Sequence, residues 1–383
     1  MRGRANLYRA LSRRHLAFGF STLSLLALAP AARAKPFDAG QRAVVERILQ
    51  REVDNGIVPG IAWSIGDRSE TRAEGAVGRR AIAPDSPMRS STHCPLASVS
   101  KQFTAACVLL LRDDGKLSLD APLSAYLPDY KYASRTTLRQ VLTMTSGIPV
   151  DASCEAPVQN RVDEKTLVAN LNDMTLDFEP GAHYAYSNCG YDLAGVVVAR
   201  VSGMPFNRFI ETRIFRPLGM SSSYMLVNRH ETDFAEGYAA QGGGWKPAPL
   251  TLGDRLYASG NLASTAGDMQ RWNRAILNAA LLPRSTLKEM FTVPALGSAA
   301  RSIYAAGLFI EPNGAIWHAG GLAGYGNVNM LVPASGHAIT LLGNTVPHGR
   351  WKPWDVAREI YNGLALGPAM AAFEPMRATT LPK

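Results

Sequence analysis

Ser98 and Lys101 stand three positions apart, where the polar stretch 89–95 gives way to the apolar run 103–111. At a helix start that spacing puts both side chains on one face, beside backbone N–H groups whose partial positive charge favours anions. A lysine desolvated in such a field loses its proton more readily and can act as a base toward a serine hydroxyl. The pair alone says little, because serine is a common helix cap. Ser285 and Lys288 repeat the spacing, and there we read the plain cap of an exposed amphipathic helix.

Two further motifs give the pair its meaning. Tyr186-Ser187-Asn188 lies 88 residues after Ser98, behind Pro180-Gly181. His318-Ala319-Gly320 lies 132 residues beyond Tyr186 and opens a glycine-rich stretch that continues with Gly321. A phenol can relay a proton, an asparagine amide can hold a carbonyl, and a glycine-bearing strand edge admits a substrate backbone. Tyr325-Gly326-Asn327 repeats the Tyr-x-Asn pattern, whereas His318 supplies the single His-x-Gly of the chain. The glycine cluster runs into an alternating strand pattern and not a helix, which argues against a phosphate loop. G-x-S-x-G, C-x-x-C and H-E-x-x-H are absent.

Taken in order, S-x-x-K, Y-S-N and H-x-G resemble the motifs of the serine β-lactamase and penicillin-binding-protein superfamily. The branch is that of class C β-lactamases, serine DD-peptidases and related carboxylesterases. Leu96-Ala97 before Ser98, Thr145-Ser146-Gly147-Ile148-Pro149, and Ser264-Thr265-Ala266-Gly267-Asp268 extend the resemblance over roughly residues 40–365. It implies an α+β fold: an antiparallel sheet flanked by helices and built from both chain ends, with an inserted all-helical lobe and a site in the cleft. It also implies roles. Ser98 becomes acylated, Lys101 and Tyr186 handle its proton, and Asn188 positions Lys101 and the substrate carbonyl. His318 stands near Tyr186 and tunes it, and the N–H groups of Ser98 and Gly321 form the oxyanion hole. Ala319 and Gly320 complete the substrate edge. Water then releases the acyl group with no metal or organic cofactor.

This chain departs from the pattern in two places. Met144 replaces the histidine that often precedes Thr-Ser-Gly, from which we expect altered packing and not lost chemistry. Ala319 replaces the threonine of D-alanyl peptidases, and His318 the lysine of class C β-lactamases. Both changes remove help for an anionic substrate. The expected substrates are therefore small esters or amides, D-amino-acid peptide-like ones included. The alternatives are a class C-like β-lactamase or DD-carboxypeptidase, or a non-enzymatic penicillin-binding or peptidoglycan-sensing protein.

The elements that must position these residues follow from the periodicity. Helices are expected over 38–54, opened by Asp38, and over 98–112, 190–202, 205–215, 266–279 and 353–364. Strands are expected around Ile61–Ile65, 303–310, 315–319, 328–332 and 337–342, the last pair joined by a turn at Pro333-Ala334-Ser335-Gly336. Strands at both ends and helices between divide the chain into an α/β lobe, 35–85 with 295–366, a helical lobe, 86–294, and a loose tail, 367–383.

Residues 1–34 hold six arginines and no acidic residue, then an apolar run, 16–29, and Ala32-Arg33-Ala34. This reads as a cleaved signal peptide, with Ser12-Arg13-Arg14 allowing twin-arginine export, and points to a periplasmic or secreted protein. The run is shorter than the roughly 20 residues of a membrane span. Without that segment the net charge falls from +9 to +3, so no nucleic-acid partner is implied. Of the cysteines Cys94, Cys107, Cys154 and Cys189, the middle-sequence pair Cys154 and Cys189 flanks the second motif and could bridge in an oxidising compartment. The oligomeric state is left open.

Overall fold

A computed structural model describes residues 37–149, 164–226, 232–248, 250, 257–296, 304–346 and 350–372. The arginine-rich segment, Cys154 and the end of the tail lie outside the described residues. The main sheet contains β1 (Gly60–Asp67), β2 (Thr71–Ala81), β3 (Ser86–Pro87), β4 (Phe309–Ile310), β5 (Ile316–Leu322), β6 (Tyr325–Val332) and β7 (His337–Gly343). Their spatial order is β3-β2-β1-β7-β6-β5-β4. The two chain ends therefore meet at β1 and β7, which pair antiparallel from Ile61↔Gly343 to Asp67↔His337. The expected α+β architecture forms, but the inserted segment is not all helical: it carries a small sheet of Cys94–Pro95, Leu262–Ser264 and Tyr224–Met225 and a hairpin of Tyr238–Gln241 with Gly244–Pro247.

Helices α1 (Ala39–Asp54) and α8 (Pro353–Gly363) cover one side of this sheet, and α6 (Ala266–Asn278) packs against β1 and β7. Asp38 opens α1 through a capping box with Gln41, as its sequence suggested. Between the sheet halves lie α2 (Lys101–Asp113), α3 (Leu138–Leu142), α4 (Glu164–Asp173) and α5 (Asn188–Ser202). Every residue of α2 from Lys101 to Leu111 is buried, as is every residue of α5 from Cys189 to Ala199. Helices apolar on all sides belong at the centre of a fold, and these two pack on each other. One apolar cluster joins them to the sheet, from Trp63 through Phe103 and Trp272 to Trp317.

Some expectations need correction. Ser98 does not begin an α-helix: Ala97–Ser100 form a 3₁₀ turn that passes directly into α2. The strand expected over 303–310 shrinks to Phe309–Ile310, with Tyr304 bridging only to Phe309. Gly307 explains this, because at φ +81° it folds the chain against α2, and a Cβ there would sit 2.7 Å from the Lys101 carbonyl oxygen. The long strand β2 was not foreseen, since Ala73, Ala76 and Val77 among arginines and glycines give no alternation of large apolar residues. Ser285 caps nothing: it is exposed within α7 (Arg284–Met290), which Pro283 opens.

A buried amide network locks α2 to the sheet. Asn329 on β6 donates to Asn273 Oδ1 at 2.8 Å and accepts from Asn273 Nδ2 at 2.9 Å and Thr340 Oγ1 at 2.7 Å. Its amide also reaches Gln102 Oε1, to which the Trp272 indole N–H donates. Removing one member strands several buried partners. Asn329→Ala is expected to lower the unfolding free energy by about 3 kcal/mol in urea titrations. A loss below ~1 kcal/mol would mean the network does not hold the helix to the sheet.

Candidate active site

The candidate nucleophile is presented by a strained turn. Ala97 adopts φ +51°, in the left-handed region that costs a non-glycine residue roughly 1–2 kcal/mol. The Leu96 N–H donates to the Leu262 carbonyl at 2.7 Å, which anchors the chain just before it turns. In the 3₁₀ turn residues three apart eclipse, so Lys101 rises beside Ser98. Lys101 is fully buried, while Ser98 is partly exposed.

Three oxygens surround the amine. Lys101 Nζ lies 3.1 Å from Ser98 Oγ, 2.7 Å from Asn188 Oδ1 and 2.9 Å from the Ser259 carbonyl oxygen. The Tyr186 ring is 4.8 Å from Nζ, and the phenol stands close enough to the Ser98 hydroxyl for that hydroxyl to lower its pKa. Burial pushes the Tyr186 phenol well above its ordinary range, and the lysine-bound Ser98 hydroxyl only partly offsets that.

Tyr186 and Asn188 owe their placement to the residue between them. Ser187 N-caps α5, its hydroxyl accepting from Gly190 N at 3.1 Å and donating to the Pro149 carbonyl at 3.0 Å. Its own N–H donates to Met144 Sδ at 3.0 Å, and Ala185 N donates to the Met144 carbonyl. The thioether thus stands as the acceptor at the expected position of a histidine: packing changes there, and the backbone of the motif is still held. Cys189, the next residue, is buried and disulfide-bonded, whereas Cys94 and Cys107 are free thiols.

The third motif lies on β5, antiparallel to β6, with His318↔Asn329 and Gly320↔Asn327 in register. Side chains alternate along it. His318 and Gly320 are buried, Ala319 is partly exposed and Gly321 is exposed. Gly320 permits the approach of strand and nucleophile turn, since a Cβ there would meet the Leu96 carbonyl oxygen at 2.1 Å. His318 packs near Tyr186, with ring centroids 6.2 Å apart, and its hydrogen bonds go elsewhere. Its Nδ1 donates to the Ala319 carbonyl at 2.6 Å, and Nε2 accepts from the Tyr304 hydroxyl at 3.1 Å, a tautomer assigned from these partners. Burial is the main cause that lowers the His318 pKa to about 3, and Lys101 adds to it when protonated. At neutral pH this histidine is an uncharged, internally bonded ring.

All eight residues singled out in the three motifs therefore fall together, around one turn, one helix start and one strand. The sequence reading missed three contributors. Ser259 carries no motif. Asp192 accepts from Ser259 N at 2.6 Å and Tyr257 N at 3.2 Å, and its signal was an acidic residue on the apolar face of α5. Tyr304 was visible only as part of an expected strand. Among the described residues no His, Cys, Asp or Glu cluster could hold a metal ion, and no helix is long and apolar enough to cross a membrane.

The neutral ring has a consequence for stability. Unfolded, His318 takes a proton near 6.5; folded, it resists protonation to about 3. Between those values the unfolded chain binds more protons, so this contribution is complete above the upper value and is lost as pH falls toward the lower one. His318→Gln lacks it. The stability advantage of wild type over His318→Gln should shrink as pH falls from about 7 to about 4 in denaturant titrations. An advantage that stays constant would show the ring to be charged or solvated.

Comparison with known proteins bears on the fold and the family. The Beta-lactamase family pattern matches residues 45–361. Protein flp of Staphylococcus aureus (strain N315) is 26% identical over 318 residues, 78% of this chain, and the chain spans only 62% of that relative's length. The octameric penicillin-binding protein homologue of Pyrococcus abyssi superposes with TM-score 0.73 at 24% identity, over 86% of this chain and 77% of that one. A D-stereospecific amidohydrolase from Streptomyces sp. superposes with TM-score 0.66 at 26% identity, over 79% of this chain and 94% of that one. With its three motifs assembled on this fold, and the family pattern matching most of its length, the chain belongs to the Beta-lactamase family of serine-hydrolase fold.

Proposed function

We propose that this protein is a serine hydrolase that acts through an acyl-enzyme on Ser98 and takes small neutral esters or amides. The observation that carries the reading is the partner set of Lys101. The Asn188 amide oxygen and the Ser259 carbonyl can only accept, so when the amine is neutral they take its two N–H bonds. The lone pair is then left facing Ser98 Oγ at 3.1 Å. Ser98 gives its proton to Lys101 as Oγ attacks the carbonyl carbon, and the leaving group takes a proton through Tyr186. The raised Tyr186 pKa supports this division, because a phenol protonated at neutral pH is a donor and not a base. The Ser98 and Gly321 N–H groups serve as the oxyanion hole, and water completes the cycle.

The third motif supports the substrate class. A D-alanyl peptide or a penicillin carries a carboxylate near the scissile bond. Ala319 offers it no hydroxyl, and His318 is neutral and already bonded to Tyr304 and its own strand. A charge-assisted hydrogen bond there would contribute roughly 1.5–3 kcal/mol. The likeness to a D-stereospecific amidohydrolase supports amides within this class. The disulfide at Cys189 suits an oxidising compartment, as export through residues 1–34 would provide.

A panel of a chromogenic ester, an uncharged D-amino-acid amide, a cephalosporin and a D-Ala-D-Ala peptide tests the reading. Wild type should favour the first two, Ser98→Ala should be inactive on all, and mass mapping should place any acyl adduct on Ser98. Lys101→Ala should lose several powers of ten in kcat while staying folded. Ala319→Thr should raise activity on the carboxylate-bearing pair more than on the ester. Preference of wild type for the cephalosporin or the peptide would favour the β-lactamase or carboxypeptidase alternative. An adduct that forms and never turns over would favour the non-enzymatic one.

A further inference from the structure

The segment 257–259 lies between α2 and α5 with its backbone fastened from both. From α5, Asp192 accepts the N–H groups of Tyr257 and Ser259, both on Oδ1. From α2, Thr104 donates to the Ala258 carbonyl at 2.6 Å and Lys101 to the Ser259 carbonyl at 2.9 Å. Gly195 makes room, since a Cβ there would sit 2.4 Å from Ala258 Cβ. Asn188 and Asp192 are four apart, hence on one face of α5. That face holds Lys101 twice, directly through Asn188 and indirectly through Asp192 and Ser259. Asp192 is 1% exposed, and a carboxylate so deep in an apolar helix is costly unless its bonds are well made.

We propose that Asp192 is a positioning residue for Lys101: by fixing the Ser259 carbonyl it sets the direction in which the amine meets Ser98. This rests on the reading of Lys101 as the base. Without the Asp192 anchor, the 257–259 backbone loses its hold on α5 and the carbonyl can rotate away. Lys101 then loses one of its fixed acceptors, and its lone pair is no longer confined to the Ser98 side. Substrate contacts on β5 are untouched, so the loss falls on turnover and not on binding.

The test compares Asp192→Leu and Asp192→Asn with wild type and Lys101→Ala on a neutral chromogenic ester, following kcat, KM, pH dependence and circular dichroism. Asp192→Leu should lower kcat about tenfold or more with KM changed less than about threefold. Asp192→Asn keeps an acceptor oxygen for both N–H groups and should recover most of that kcat. It also removes an anion near the lysine, so the acid limb of kcat/KM should move to lower pH. The other titratable groups around the amine are unchanged in that variant: Tyr186 and Tyr191 at α5, Tyr304 and His318 on the sheet side, and Tyr257 with Glu164 beyond the turn. A folded Asp192→Leu with wild-type kcat overturns the proposal, and so does an Asn variant as slow as the Leu variant. If Asp192→Leu does not fold, the Asn acid limb decides, and an unmoved limb counts against the proposal. Lys101→Ala separates the two ideas. Normal turnover by that variant removes the base itself, whereas its inactivity beside a fast Asp192→Leu sinks only the role of Asp192.

Discussion

Burying an amine is the constraint around which this molecule is organised. Lys101 has no exposure to solvent, and an ammonium or amine in that position must find oxygen partners within the protein. Three of them come from the 3₁₀ turn, from the first residue of α5 and from the 257–259 turn. Each must be held in turn, which is why so much buried polar structure, from the Ser187 cap to Asp192, lies within a turn or two of this one atom.

Close approach is the second requirement. Gly307, Gly320 and Gly195 each occupy a place where a Cβ would collide with the backbone or side chain of a neighbouring element. They let the segment after Tyr304 approach α2, the strand β5 approach the 3₁₀ turn, and the 257–259 turn approach α5. Strain is accepted where the nucleophile turns, at Ala97, and again at Met144, whose φ of +60° aims its sulfur at the second motif. Positive-φ alanine and methionine beside reactive groups are tolerated because tight packing around them leaves no other path for the chain.

The electrostatics of the pocket follow from burial more than from charge pairing. His318, Tyr186, Tyr191 and Tyr304 all shift toward their neutral forms, with burial the largest cause in each. Titratable side chains thus act as a neutral hydrogen-bonded wall around Lys101. The strongly charged pairs, such as Arg139 with Asp120 and Arg213 with Asp114, lie on the surface and tie helices and loops together.

How much of this was legible in the sequence depends on the range of the interaction. Motif order and spacing named Ser98, Lys101, Tyr186, Asn188, His318 and Gly320, because reactive groups declare themselves by residue type. Periodicity found α1, α5, α6, α8 and most strands of the main sheet, because one face of each is apolar over several turns or pleats. It missed β2, whose small residues pack against β1 and α1 without an alternating signal, and it extended a strand through 303–308 that Gly307 folds back. The sequence also determined the chemistry at 319, where alanine has no hydroxyl in any fold. Tertiary structure alone decided that His318 turns inward to Tyr304, that a methionine sulfur holds the second motif, and that Asp192 and Ser259 stand behind the lysine. Those contacts join residues from 14 to 158 positions apart, and their partners are a carbonyl, an N–H and a thioether that nearly every stretch of chain could supply. Local composition carries no mark of them, so only the packing of α2 on α5 and of β5 on the 3₁₀ turn could select which were made.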